Sequence, residues 1–248
     1  MIRFIKAVST VVRFLLLNEG KRKKLTKLGE TDRDAMEEES LRLVRDAFLK
    51  ILKSSGVEVT VKGLEHIPAD TPVLYVGNHR SFFDILVGYT TVPGRMGFVA
   101  KKEMRSWPFI SDWMVNVNCL FLDRKNIKEG LKTILEGVQK IKRGVSVWIF
   151  PEGTRNENED PTVLMPFKEG SLKIAEKAGC PVIPVALTGT AEIFEKPSKR
   201  LFRICPGKVT IEFGEPFLIR DLAPEEKKFV GAYTRDRIID LLKKEQQA

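Results

Sequence analysis

The 248 residues are 43% hydrophobic and 30% charged, ordinary for a globular chain with material for a sizeable core, so disorder is excluded. Three scattered cysteines (Cys119, Cys180, Cys205) with no CxxC pair argue against a disulfide framework or a cysteine zinc site and for buried thiols in a reducing compartment. The net charge of +9 admits nucleic acid, anionic lipid or a phosphorylated substrate, and its placement must choose among them.

Residues 1–30 hold eight basic side chains against two acidic, which is two-thirds of the net charge. Over 1–17, Phe4, Ile5, Val8, Val11, Val12 and Leu15 recur at three- and four-residue steps, opposite a narrower stripe of Arg3, Lys6, Thr10 and Arg13. This spacing predicts an amphipathic helix ending near the cation cluster Lys21, Arg22, Lys23 and Lys24. Two readings stand side by side: a helix docked on the core, and a helix lying in lipid headgroups through Phe4, Ile5, Val8 and Val12, with the four cations toward anionic lipid. No aromatic or glycine pattern of a nucleic-acid module accompanies the charge. The run 7–12 is cut by Arg13 with no small-residue cleavage site after it, and no uncharged run approaches the roughly 20 residues of a spanning helix. The chain is therefore expected on the cytoplasmic side without crossing a membrane. A second helix is predicted over 34–53, with acid at its start, base at its end and Ser54-Ser55-Gly56 as its stop.

From Val57 short β-branched runs alternate with amphipathic stretches. Strands are predicted at 57–61, 73–76, 97–100, 119–122, 145–150, 182–187 and 209–213, and helices at 82–89, 127–142, 167–178 and 225–244. The expected architecture is α/β: a layered domain over 56–248 with a largely parallel or mixed sheet flanked by helices, and an N-terminal two-helix, membrane-associating appendage over 1–55.

Only two histidines are available as a base. His66 lies in a turn. His79 follows a predicted strand in Asn78-His79-Arg80-Ser81-Phe82-Phe83-Asp84. Five positions along one helix separate side chains by about 140°, so His79 and Asp84 meet only if His79 is on the turn and Asp84 in the first helical turn. Asp84 then either closes a capping box with Ser81 or orients the imidazole, and the spacing alone leaves both open. A second turn after a strand, Phe150-Pro151-Glu152-Gly153-Thr154-Arg155, offers glycine for close approach of backbone amides to an anion and arginine for a phosphate. No G-x-S-x-G elbow and no HExxH pair appears.

In order, Asn78-His79-x4-Asp84, Lys101-Lys102-Glu103 with Pro108-Phe109, Leu122-Asp123-Arg124, Phe150 to Arg155, Phe167-Lys168-x-Gly170 and Val182-Ile183-Pro184-Val185 resemble the 1-acylglycerol-3-phosphate acyltransferases of the glycerolipid acyltransferase family. The resemblance spans about residues 60–215 and leaves the N-terminal helices outside it. It implies transfer of a fatty acyl group from a thioester to the sn-2 hydroxyl of 1-acylglycerol 3-phosphate (lysophosphatidic acid), giving phosphatidic acid. His79 would be the base and Asp84 its orienting partner; Glu152, Gly153, Arg155 and Arg124 would hold the acceptor phosphate. The donor would be acyl carrier protein or coenzyme A thioester, with no other cofactor, no metal and no nucleic acid. The enzyme would sit peripherally on the cytoplasmic face of the cell membrane. Acylation of glycerol 3-phosphate or another lysophospholipid is the alternative, and a non-catalytic lipid-binding protein the alternative from another class.

Overall fold

In the computed structural model, residues 1–197 and 202–247 are described. The strands are β1 (Val57–Lys62), β2 (Leu74–Gly77), β3 (Met96–Lys101), β4 (Leu120–Leu122), β5 (Ser146–Ile149), β6 (Val182–Thr188) and β7 (Gly207–Phe213), at the seven expected places. They form one sheet in the order β1-β7-β6-β2-β5-β3-β4. β6, β2, β5, β3 and β4 run parallel; β7 is antiparallel to β6, and β1 parallel to β7. The sheet is thus mixed, with a parallel centre. Every residue of β2 and β5 is buried, as apolar strands covered on both faces require.

Helices cover both faces. On one side α3 (Arg33–Ser55) lies beside α4 (Phe83–Thr91) and α5 (Ile110–Asn116), and Leu41, Val44, Ile51 and Leu52 share a core with Tyr75, Trp148 and Phe213. On the other, α6 (Ile127–Lys142), α7 (Lys173–Ala178) and the C-terminal helix Val230–Gln247 enclose Val76, Val147, Ile149 and Ile174. The α3 ends are well specified: Asp32 accepts from the Ala35 N–H, and Gly56 closes the helix in the left-handed conformation at φ 71°. Arg45 of α3 reaches the far end of α4, donating to the carbonyls of Tyr89 and Gly94 at 2.8 and 2.9 Å.

The N-terminal segment holds three helices, one more than expected. After α1 (Ile2–Leu17), the cation cluster continues as α2 (Glu19–Leu28). Its helix is secured by Leu25, which is buried, and by Glu19 ion-paired to Arg22 one turn on. The predicted helix 167–178 is shorter than its pattern: Phe167 is buried in the core and Lys168 is extended, donating its N–H to the Pro151 carbonyl, before a 3₁₀ turn leads into α7. No helix among the described residues is long and apolar enough to cross a membrane.

α1 is docked along one edge and exposed along the other. Ala7 is buried and Phe14 and Leu15 pack against the core, while Ile5, Val8, Val12 and Leu16 stand in solvent. Phe4, placed among the membrane contacts from sequence, belongs to the docked side, with its ring 6.0 Å from Phe194. Lys21 and Arg22 are likewise engaged, with Glu39 and with Glu19 and Asp112.

Candidate active site

Five parallel strands end on one edge of the sheet, so the turns after β2, β4 and β5 face the same side. His79 follows β2, Arg124 follows β4, and residues 150–155 follow β5. Turns 26 to 76 residues apart in the sequence are thereby assembled, as open α/β sheets do at their carboxyl ends.

His79 is held from three directions. Its Nδ1 is 2.8 Å from Oδ2 of Asp84, and the same oxygen accepts from the backbone N–H of Arg80 and of Ser81, each at 2.8 Å. Ser81 Oγ accepts from the Phe83 N–H at 3.0 Å, so Asp84 closes the helix start and orients the imidazole together. Asp84 is fully buried and His79 retains 17% side-chain exposure. The His79 ring stacks on Phe150 at 4.1 Å and 12°, which fixes its plane. Its Nε2 makes no hydrogen bond among the described residues. Asn78, wholly buried, donates to the Leu187 carbonyl at 2.9 Å and accepts from the Leu187 N–H at 2.8 Å, binding the β2 end to β6.

Glu152, assigned to the phosphate block from sequence, faces inward. Its carboxylate accepts from the His79 N–H (2.9 Å), the Asn156 amide (3.0 Å) and the Met165 N–H (3.0 Å). Burial pushes this carboxyl up, against the lowering effect of those hydrogen bonds. A buried anion spoken for by three donors supports the loop and offers nothing to a phosphate.

The cations divide into two groups. Gly153 adopts φ 80°, a conformation that glycine enters without strain. A methyl group placed there would come 3.2 Å from Lys168 Nζ and 3.5 Å from Arg124 Nη1, so both cations close over this glycine. Arg124 also donates to the Gly153 carbonyl, and burial lowers its pKa. Arg155 turns to other partners, with its guanidinium 4.2 Å above the Phe82 ring and Nη1 3.1 Å from Glu195 Oε1. That oxygen accepts from the Phe82 N–H at 2.8 Å as well. Burial pushes the Glu195 carboxyl up, and the nearby Asp84 charge adds to the push.

Lys168, Phe82 and Phe150 were visible only as members of blocks, and Glu195 carried no sequence signal as a site residue. Glu195 lies 40 residues beyond Arg155, past β6, in no periodic pattern that marks it. His66 is apart from the site, its Nδ1 2.8 Å from the Phe213 carbonyl. Cys119 and Cys180 are buried, and burial pushes the Cys180 thiol up to about 11.

Known proteins resemble this chain in sequence and in fold. The family model described as Acyltransferase matches residues 58–188. A Mus musculus protein named 1-acyl-sn-glycerol-3-phosphate acyltransferase alpha is 27% identical over 209 residues, 83% of this chain and 70% of that one. Its Homo sapiens namesake is 30% identical over 192 residues, 76% of this chain and 65% of that one. This chain therefore matches about two-thirds of the length of these relatives. The crystal structure of the 1-acyl-sn-glycerophosphate (LPA) acyltransferase PlsC from Thermotoga maritima superposes with a TM-score of 0.81 at 26% identity, covering 100% of this chain and 96% of that one. The family match runs from β1 to the end of β6, through every turn that carries a site residue before Glu195, and the chain belongs to the acyltransferase family.

Proposed function

We propose that this protein transfers a fatty acyl group from a thioester to the free sn-2 hydroxyl of 1-acylglycerol 3-phosphate, giving phosphatidic acid. The observation that carries the reading is the His79–Asp84 pair at 2.8 Å, on the sheet edge where Arg124, Lys168 and Arg155 also gather. Nδ1–H donated to Asp84 leaves the Nε2 lone pair to take the proton of the acceptor hydroxyl. The freed oxygen attacks the thioester carbonyl carbon. As the tetrahedral intermediate collapses the C–S bond breaks, and the thiolate recovers the proton from Nε2. A thioester is already activated, so no acyl-enzyme is needed. The buried Asp84 carboxylate stabilises the transient imidazolium, and the arginines and Lys168 hold the acceptor phosphate through charged hydrogen bonds.

Acceptor and product are amphiphiles, and the exposed stripe Ile5, Val8, Val12 and Leu16 supplies an apolar face for a lipid surface, with exposed Lys23 and Lys24 following in α2. The protein thus sits peripherally on the cytoplasmic face of the cell membrane. The donor is acyl carrier protein or coenzyme A thioester.

The test measures acyl transfer to 1-acylglycerol 3-phosphate, glycerol 3-phosphate and a lysophospholipid with a larger headgroup. The first should have the highest kcat/KM. His79→Ala should lower kcat at least about 10²-fold, and Asp84→Asn similarly, since general-base assistance is worth roughly 10²–10⁴-fold. A His79→Ala protein that keeps more than about a tenth of kcat would remove His79 as the base. Lipid binding with no transfer to any acceptor would leave a non-catalytic lipid-binding protein.

A further inference from the structure

The apolar sector of α6 is wider than the sheet covers. Ile134 packs on the core and Val138 and Ile141 are buried, whereas Ile127 is 90% exposed, Leu131 49% and Leu135 48%. The three exposed residues recur every fourth position, forming one stripe about 12 Å long at 1.5 Å per residue. Lys128, Lys132 and Lys142 lie on the same outward face. Lys132 pairs with Glu129, while Lys128 and Lys142 have no ion pair among the described residues. Glu136 is also outward, 3.9 Å from Lys140.

Two facts bear on what this surface meets. The stripe starts at the site: Ile127 is three residues beyond Arg124, and Asn126 between them caps α6 by accepting from the N–H groups of Lys128 and Glu129. It also lies on the opposite layer from the exposed face of α1, because α6 covers one side of the sheet while α1 packs on α3 across it. One bilayer lying against α1 therefore leaves α6 toward water. A coenzyme A thioester is small and has no use for an apolar ridge on the outside of a helix. An acidic protein surface matches it, with an apolar centre and a cationic rim.

We propose that the outward face of α6, built by Ile127, Leu131 and Leu135 with Lys128, Lys132 and Lys142, is the docking surface for an acidic carrier protein that presents the acyl thioester to His79. The proposal rests on the acyl-transfer reading above and selects between its two donors.

Two full-length variants test it, Ile127→Ser with Leu131→Ser, and Lys128→Glu with Lys142→Glu. Each is assayed with palmitoyl-acyl carrier protein and with palmitoyl-coenzyme A, beside a melting curve and co-sedimentation with phosphatidylglycerol vesicles. The expected result is a KM for the carrier-protein donor raised about tenfold or more, with kcat and the coenzyme A kinetics within about twofold of the unaltered protein, because rim charges act on encounter and not on chemistry. Rising salt should weaken carrier-protein use by the unaltered protein more than by the charge-reversed one. Equal effects on both donors, or on neither, overturn the proposal. So does loss of vesicle binding in place of the KM change, which makes α6 a lipid contact. Use of coenzyme A thioester alone by the unaltered protein overturns the docking surface and keeps the acyl-transfer reading. Use of neither donor sinks both.

Discussion

The Oδ2 atom of Asp84 serves the fold and the proposed chemistry at once, accepting from two backbone N–H groups of the helix start and from His79. Glu152 acts one step further back, since its carboxylate holds the His79 backbone and the loop carrying Asn156 and Met165. Glu152→Gln should therefore lower kcat with little change in acceptor KM, because an amide cannot accept from three donors and His79 shifts. Arg155→Ala should do the reverse. A charged hydrogen bond is worth about 1.5–3 kcal/mol, so acceptor KM should rise roughly tenfold to a hundredfold while donor KM stays. Steady-state kinetics in both substrates separates the two, and a rise in acceptor KM for Glu152→Gln would return Glu152 to the phosphate site.

At the scale of elements, α1 presents one apolar edge to the core and another to solvent, and substitutions sort by edge. Replacing Ile5, Val8 and Val12 by serine should weaken binding to neutral vesicles by roughly a hundredfold, taking about 1 kcal/mol for each partly buried side chain. The melting temperature should hardly move. Phe4→Ser should lower the melting temperature, because the Phe4 ring packs on Phe194 and Phe202. If the triple variant binds vesicles as the unaltered protein does, α1 is a docked helix only.

Across the whole molecule, the strand ends opposite the site carry an ionic cluster. Glu37 of α3, 1% exposed, accepts from Arg33 and Arg143 at 2.9 Å each and from Arg95 at 3.3 Å, and Arg95 and Arg143 lie just before β3 and β5. Burial alone would raise the Glu37 carboxyl, but hydrogen bonds led by Arg143 outweigh it and hold it below its usual value. A lowered folded pKa contributes stability that is complete above the unfolded value of about 4.3 and lost as pH falls through the folded one. Glu37→Gln should thus lower stability at pH 7 by about 2 kcal/mol, below the 3–5 of a fully buried pair because its arginines keep some exposure. The gap should close as pH drops below about 4. Melting curves from pH 3 to 7 check this, and a gap that persists unchanged at low pH would rule out the charge as its source.

The central strands were legible because their apolar runs follow from burial on both faces, and β1 and β7 because apolar and polar residues alternate along them, properties each run carries locally. The His79–Asp84 pairing was half legible: the spacing allowed both a cap and an orienting acid, and only the fold lets one oxygen be both. α2 was hidden because its polar sequence is held by a single buried leucine and by ion pairs to other elements. Glu152 misled because a motif records which residues stand together, and whether a side chain faces ligand or loop depends on donors 13 and 73 residues away. The local pattern of the chain by itself determined its strands, most of its helices and the turns that bear the chemistry. Which edge of α1 is free, which partner occupies Arg155 and where Glu152 points were decided by tertiary structure, because each depends on groups brought close only when the sheet forms.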